Sequence, residues 1–206
     1  YGQSSTQLDA TYEQLNAALG FKTSPVTGLW FNLYGGYQDL KNNLASAAIA
    51  NYSGSYLQLL QGNMHNIYAG AEVSYSYKDI ISFTASGVYR DWKTAKTENN
   101  SGDWLLYYMP SFEANFKVDI RPVSPVLINL GYQHVTREKI GDKRVDPVGN
   151  LYLGGSYEVF EGISIYVRAN NLLNKDYQYY WGYPTEGINF MGGVSSVSYT
   201  HLRAHE

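Results

Sequence analysis

The chain has 206 residues, enough for one domain or two, with 15 Lys and Arg against 18 Asp and Glu and a formal net charge of −3. Charged residues make up only 16%, well under the roughly 25% of an ordinary soluble domain, while 21 Tyr, 7 Phe and 4 Trp bring aromatics to 16% beside 20 Gly. This balance offers no basic footprint for nucleic acid, and the lack of Cys excludes a disulfide framework, thiolate metal sites and thiol nucleophiles.

No run approaches the roughly 18 consecutive apolar residues of a membrane-spanning helix, which leaves membrane barrels open. The chain begins at Tyr1 with no initiator Met or apolar leader, and we expect a fragment whose targeting segment was removed or never captured. Apolar residues then recur with period two along almost its whole length. Leu15, Ala17, Leu19 and Phe21 begin the series, and Leu29, Phe31, Leu33, Gly35 and Tyr37 repeat it. Ala71, Val73, Tyr75 and Tyr77 follow, with Glu72 on the opposite parity; Ile81, Phe83, Ala85, Gly87 and Tyr89 follow in turn, with Arg90 opposite. Phe112, Ala114, Phe116, Val118 and Ile120 face away from Glu113, Lys117 and Asp119, so even a charged segment sorts cleanly. Val126, Ile128, Leu130 and Tyr132, then Leu151, Leu153, Gly155 and Tyr157 with Glu158 opposite, continue the pattern. Ile163, Ile165, Val167 and Ala169 with Arg168 opposite, and finally Ile188, Phe190, Gly192 and Val194, complete it.

These stripes predict about nine strands, near 11–23, 29–39, 65–77, 80–92, 104–120, 126–138, 148–159, 163–170 and 188–195. Short turns at 24–28, 78–79, 121–125 and 160–162 alternate with long connections at 40–64, 93–103, 139–147 and 171–187. An all-β, antiparallel up-and-down transmembrane barrel has this asymmetry, with one apolar face on each strand and aromatic girdles at both interfaces. About nine strands cannot close such a barrel, so the expectation is a partial one, with the lipid bilayer as its solvent. A small self-contained porin-like barrel and a soluble ligand-binding barrel with an apolar interior remain alternatives.

Chemical constellations are sparse. His65 and His134 sit near strand ends, His201 and His205 in the tail, and no HExxH or paired ligand spacing exists. Asn99 to Asp103 lacks the spaced carboxylates of a calcium loop. No catalytic residues, metal ligands or cofactors are expected, and the reading is not an enzyme. The binding candidate is the aromatic loop carrying Tyr177, Tyr179, Tyr180, Trp181 and Tyr183, whose rings can stack on a sugar, a corrin or an aromatic chelate. Glu72, Arg90, Glu158 and Arg168 are expected to line the lumen.

The residues from Val167 through Asn170, Asn171, Leu172, Leu173, Asn174, Lys175, Asp176 and Tyr177, followed by Gly182 to Val194, resemble the closing segment of TonB-dependent outer-membrane receptors. The match is specific over 163–195 and generic upstream. The resemblance implies a receptor and transporter of the bacterial outer membrane, in a Gram-negative cell, that takes up a scarce small-molecule nutrient of the siderophore, cobalamin or glycan class. It implies as partners an N-terminal plug, the remaining barrel strands and a TonB-type energy-transducing protein; no plug is identifiable in this sequence. Residues 1–195 are read as a C-terminal portion of the barrel. Residues 196–206, where apolar parity stops, are read as a non-native or disordered tail resembling a translated adapter.

Overall fold

The computed structural model describes residues 8–51, 54–94, 105–106, 109–139, 145–180 and 183–196. Its strands are β1 (Tyr12–Val26), β2 (Leu29–Asn51), β3 (Gly54–Tyr77), β4 (Ile81–Thr94), β5 (Pro110–Val123), β6 (Val126–Arg137), β7 (Val148–Phe160), β8 (Ile163–Asn170), β9 (Gln178–Tyr180), β10 (Tyr183–Pro184) and β11 (Asn189–Ser196). Nine of them form one sheet in the order β1-β2-β3-β4-β5-β6-β7-β8-β11, every pair antiparallel, while β9 and β10 pair with each other. Sequence neighbours are therefore spatial neighbours throughout the wall. The sheet is not closed, and β1 and β11 are its edges among the described residues.

Tight turns join the strands at one rim. Lys78 and Asp79 both have positive φ, as a two-residue hairpin turn requires if its twist is to match the strands. Gly28 has φ +83°, and a Cβ there would lie 2.3 Å from the Ser76 carbonyl oxygen, so no other residue fits that turn.

Two expected boundaries differ. The connection 40–64 is not a loop: β2 and β3 stay paired out to Asn51 opposite Gly54, with a bulge between Leu40 and Asn43 and Asn42 at φ 54°. Apolar alternation is lost in the sequence there, so parity carries no signal although pairing continues. The fifth strand starts at Pro110 rather than 104. Leu105 and Leu106 have helical backbone, and the Met109 N–H donates to the Leu106 carbonyl in a turn, which ends before the ladder begins.

Cross-strand partners sort every apolar stripe onto one face. The row Leu29, Tyr75, Phe83, Val118, Leu130 and Leu153 is continuous, and the next outward rows hold Phe31, Val73, Ala85, Phe116, Tyr132 and Leu151. This face is bare: Leu19 is 87% exposed and Phe190 79%, with Ile67, Val167 and Val194 similarly open. A continuous apolar patch of this kind marks contact with another phase.

Register gives the geometry of that contact. The row from Leu29 on β2 reaches Leu153 on β7, but β7 runs on to Phe160 before it turns. The turn rim thus advances about seven residues, or about 23 Å, across five strand spacings of about 4.8 Å each, a tilt of roughly 44°. Outer-membrane barrels tilt their strands by about 35–45°. On β3 the outward stripe from Tyr77 to Ile67 covers about ten residues, which at this tilt stand roughly 24 Å tall, close to the height of about 25 Å of a lipid-facing band. Among the described residues no Asp, Glu, Lys or Arg interrupts that band, and the first outward charges, Asp39 and Asp91, lie at its top.

What little closed core exists sits on the opposite face, at the loop rim. Met64 and Trp92 pack with Leu105, supported by Leu40, Leu106 and Met109, and the Trp92 indole donates to the Pro110 carbonyl at 2.9 Å. Val135, Val148 and Tyr177 form a second cluster. The segments holding Leu105 and Tyr177 therefore bend over the polar side of the wall.

Candidate functional site

The polar face is a flat, hydrogen-bonded wall. Tyr34 lies over Gly70 and Tyr68 over Gly36, so closely that a Cβ on either glycine would sit 2.3 or 2.6 Å from the ring or its hydroxyl. Tyr152 covers Gly131 and Tyr166 covers Gly193 in the same way. Glycine opposite an aromatic residue lets the ring lie along the sheet instead of standing from it. The Tyr68 hydroxyl reaches past β2 to Asn16 Oδ1 at 3.3 Å, and Asn66, Gln38 and Glu13 form a chain of side-chain hydrogen bonds at 2.9 and 2.6 Å.

All four residues expected to line the lumen lie on this face. Glu72 faces Ser86 across β3 and β4. Arg90 is ion-paired to Glu113 on the neighbouring strand. The Arg168 guanidinium stacks 3.9 Å above the Tyr152 ring, and its Nε donates to Asn170 Oδ1 at 2.8 Å. Glu158 lies at the turn rim, where its carboxylate accepts the Gly162 N–H at 3.2 Å and braces the β7–β8 turn.

The aromatic loop is built around Asn171. This residue is 1% exposed, in the left-handed region at φ 50°, a conformation Asn tolerates better than most residues. Its N–H donates to Asn150 Oδ1 on β7 at 2.8 Å. Its side chain donates to the Lys175 and Glu186 carbonyls at 3.0 and 3.1 Å and accepts the Lys175 N–H at 3.1 Å. Asn174, also at positive φ, accepts the Ile188 N–H through Oδ1 at 3.3 Å. The two asparagines thus tie both ends of the loop, one helical-like turn after β8 and the approach to β11, to a single point.

From that anchor Tyr177 folds onto Val135 and Val148 and is only 5% exposed. The Thr185 N–H and hydroxyl donate to its carbonyl at 3.0 and 2.8 Å. Burial, followed by the neighbouring Tyr179, holds the Tyr177 phenol above its ordinary pKa. Tyr179 meets Tyr177 edge-on at 5.9 Å and 90°, is 42% exposed, and carries the Arg137 guanidinium 5.7 Å above its ring. Arg137 also donates to the Gln178 carbonyl at 3.4 Å. Tyr180 and Tyr183 are partners in the β9–β10 ladder, with side chains outside the described residues, and Trp181 lies wholly outside them.

Arg137 is the residue that sequence reasoning overlooked. Its parity with Val135 and its place at the end of β6 were legible, but its ring partner lies 41 or more residues along the chain and meets it only through the fold. Among the described residues no group of three His, Asp or Glu is placed to hold a metal ion. His201, His205 and the segment Asn99 to Asp103 fall outside them, as does the tail beyond Ser196.

No family model and no curated protein matches this sequence. Solved structures do. A copper transporter, OprC, superimposes with TM-score 0.65 at 18% identity over 88% of this chain and 31% of its own. A point variant of the ferric enterobactin receptor PfeA from Pseudomonas aeruginosa gives 0.65 at 16% over 92% and 31%. The FrpB iron transporter from Neisseria meningitidis gives 0.65 at 16% over the same shares, 92% and 31%. The chain spans about a third of the length of these structures. Its tilted antiparallel sheet, apolar on one face and polar on the other, therefore has the fold of one stretch of the β-barrel wall in these structures.

Proposed function

We propose that the chain is a C-terminal part of the barrel of a TonB-dependent receptor in a Gram-negative outer membrane, and that the whole protein imports a scarce small-molecule nutrient. The carrying observation is the wall itself: an uncharged outward band of roughly 24 Å backed by a continuous polar face. Nine strands are an odd number, so an antiparallel barrel needs further strands beyond β1 and β11. An N-terminal plug inside it and an inner-membrane energy source complete the transporter.

In this reading the long connections face outward and the tight turns face the periplasm. The solute first meets the loop rim, where Tyr179 offers a half-exposed ring next to the Arg137 cation. Tyr180, Trp181 and Tyr183 add further ring faces from the same loop, and Tyr177 serves as the buried foot that positions them. Glu72, Arg90 and Arg168 line the path below. Siderophores, cobalamin and glycans are the nutrient classes that such rings suit. Energised uptake of a labelled panel of these solutes, in cells with and without the full-length gene, tests the proposal. Uptake of one class that disappears with the gene and with an uncoupler is the expected result; uncoupler-insensitive, non-saturating entry would make the protein a passive pore.

A further inference from the structure

Two inward cations on β4 and β5 are already matched: Arg90 is ion-paired to Glu113, and Lys117 Nζ lies 2.7 Å from Asp119. Arg168, on the inward face of β8, makes no ion pair among the described residues. The positions beside it are Gly154 on β7 and Met191 on β11. The next inward positions on these strands hold Tyr152, Ser156, Tyr166, Asn170, Asn189 and Gly193, none of them acidic. Glu158, the inward acid of β7, faces Ser164, about 13 Å down the strand from Arg168, and accepts the Gly162 N–H instead. One net positive charge therefore stands about 12 Å above the turn rim, half-way up the apolar band behind it. An ionisable group at that depth, facing a lumen, marks a path for solute or ion.

The guanidinium is fixed in place before any partner arrives. It lies 3.9 Å above the Tyr152 ring, which itself lies over Gly131. Its Nε donates to Asn170 Oδ1 at 2.8 Å, and the Asn170 amide donates to Asn189 Oδ1 at 3.0 Å, so β8 and β11 together hold that edge. The two η nitrogens have no acceptor among the described residues. Gly154 puts no side chain between Arg168 and Asn129, whose amide lies over that glycine. A recess of about 420 Å³ opens here, lined by Asn129, Ser156, Tyr166, Arg168 and Met191. That volume is in the range of small-molecule sites.

We infer that Arg168 receives a carboxylate of the imported solute through its η nitrogens, with the adjoining part of that solute in the recess. An arginine fork matches a planar carboxylate with two parallel N–H bonds. One cation with no second basic group beside it balances one negative charge, which favours a carboxylate over a phosphate dianion. The ring and the amide that hold the guanidinium reduce the freedom lost when the pair forms. This inference narrows the nutrient to one that bears a carboxylate, and it rests on the receptor reading, in which the polar face is the lumen.

The test uses the full-length protein in maltoside micelles, titrated with benzoate, benzamide and phenyl phosphate and followed by ligand-observed NMR. Benzoate should bind at least tenfold more tightly than benzamide. Arg168→Gln should remove at least tenfold of the benzoate affinity, while Lys22→Gln, also inward but at the turn rim, should leave it unchanged. Equal binding of benzoate and benzamide overturns the proposal, as does an Arg168→Gln variant with unaltered affinity. Tighter binding of phenyl phosphate overturns the carboxylate assignment. No benzoate binding also overturns it, and a lowered thermal midpoint in Arg168→Gln then gives the guanidinium to a carboxylate of the protein itself, such as one in the plug. If Arg168→Gln does not assemble, Arg168→Lys keeps the charge without the fork and must weaken benzoate at least threefold; unchanged affinity overturns the idea. Solute entry that survives an uncoupler while benzoate still binds through Arg168 refutes the receptor reading alone, so the two failures are distinguishable.

Discussion

Replacing Asn171 by Ala should release the aromatic loop from the wall without unfolding the wall. The substitution removes three side-chain hydrogen bonds, to the Lys175 N–H and to the Lys175 and Glu186 carbonyls. Each is worth about 1 kcal/mol net. Ala at φ 50° adds about 1–2 kcal/mol of left-handed strain that Asn tolerates. A cost of about 4 kcal/mol follows, with the Asn171 N–H bond to Asn150 and the β8–β11 ladder left in place. Because the lost bonds all lie within the loop, this cost appears as local opening. Native-state hydrogen exchange on the full-length protein reads it: the Lys175, Thr185 and Ile188 amides should exchange roughly a thousandfold faster, as about 1.4 kcal/mol corresponds to tenfold. Amides of β7 and β8, such as Leu153 and Val167, should keep their rates. Asn171→Gly should cost about 1 kcal/mol less, since Gly adopts the same φ freely. Exchange at those three amides within threefold of the parent would refute the knot.

Three further outcomes follow from the same geometry. Leu33→Arg, on the outward face about 10 Å above the turn rim, should destabilise the folded barrel by about 2–4 kcal/mol in denaturant titration, whereas Asn32→Arg on the polar face should cost under about 1; equal costs would argue that the apolar face is not in lipid. In intact cells Leu173→Cys should react with an impermeant thiol reagent and Thr27→Cys should not, and the reverse pattern would invert the topology. Tyr179→Ala combined with Trp181→Ala should weaken solute binding by about tenfold, or 1.4 kcal/mol, with barrel assembly intact by gel mobility; unchanged affinity would leave these rings to packing alone.

Within the apolar band, period-two parity was enough to place the nine wall strands and sort their residues between two faces, because successive side chains of any extended chain point to opposite sides and only one side of this wall is greasy. The stripe ending at Tyr37 and the stripe from Ile67 to Tyr77 were legible for that reason. Where that contrast ends, so does the signal: residues 40–64 read as a loop, although β2 and β3 continue as a paired ladder through them. The motif from Asn170 to Tyr177 likewise marked a special segment by its amides. Only tertiary structure decided that Asn171 ties Lys175 to Glu186, that Tyr177 is buried while Tyr179 stays open, and that Arg137 caps Tyr179. Strand tilt belongs to the same class. It is a property of register between neighbours, from Leu29 across to Leu153, and a local alternation of apolar and polar residues is the same at every register that keeps its parity.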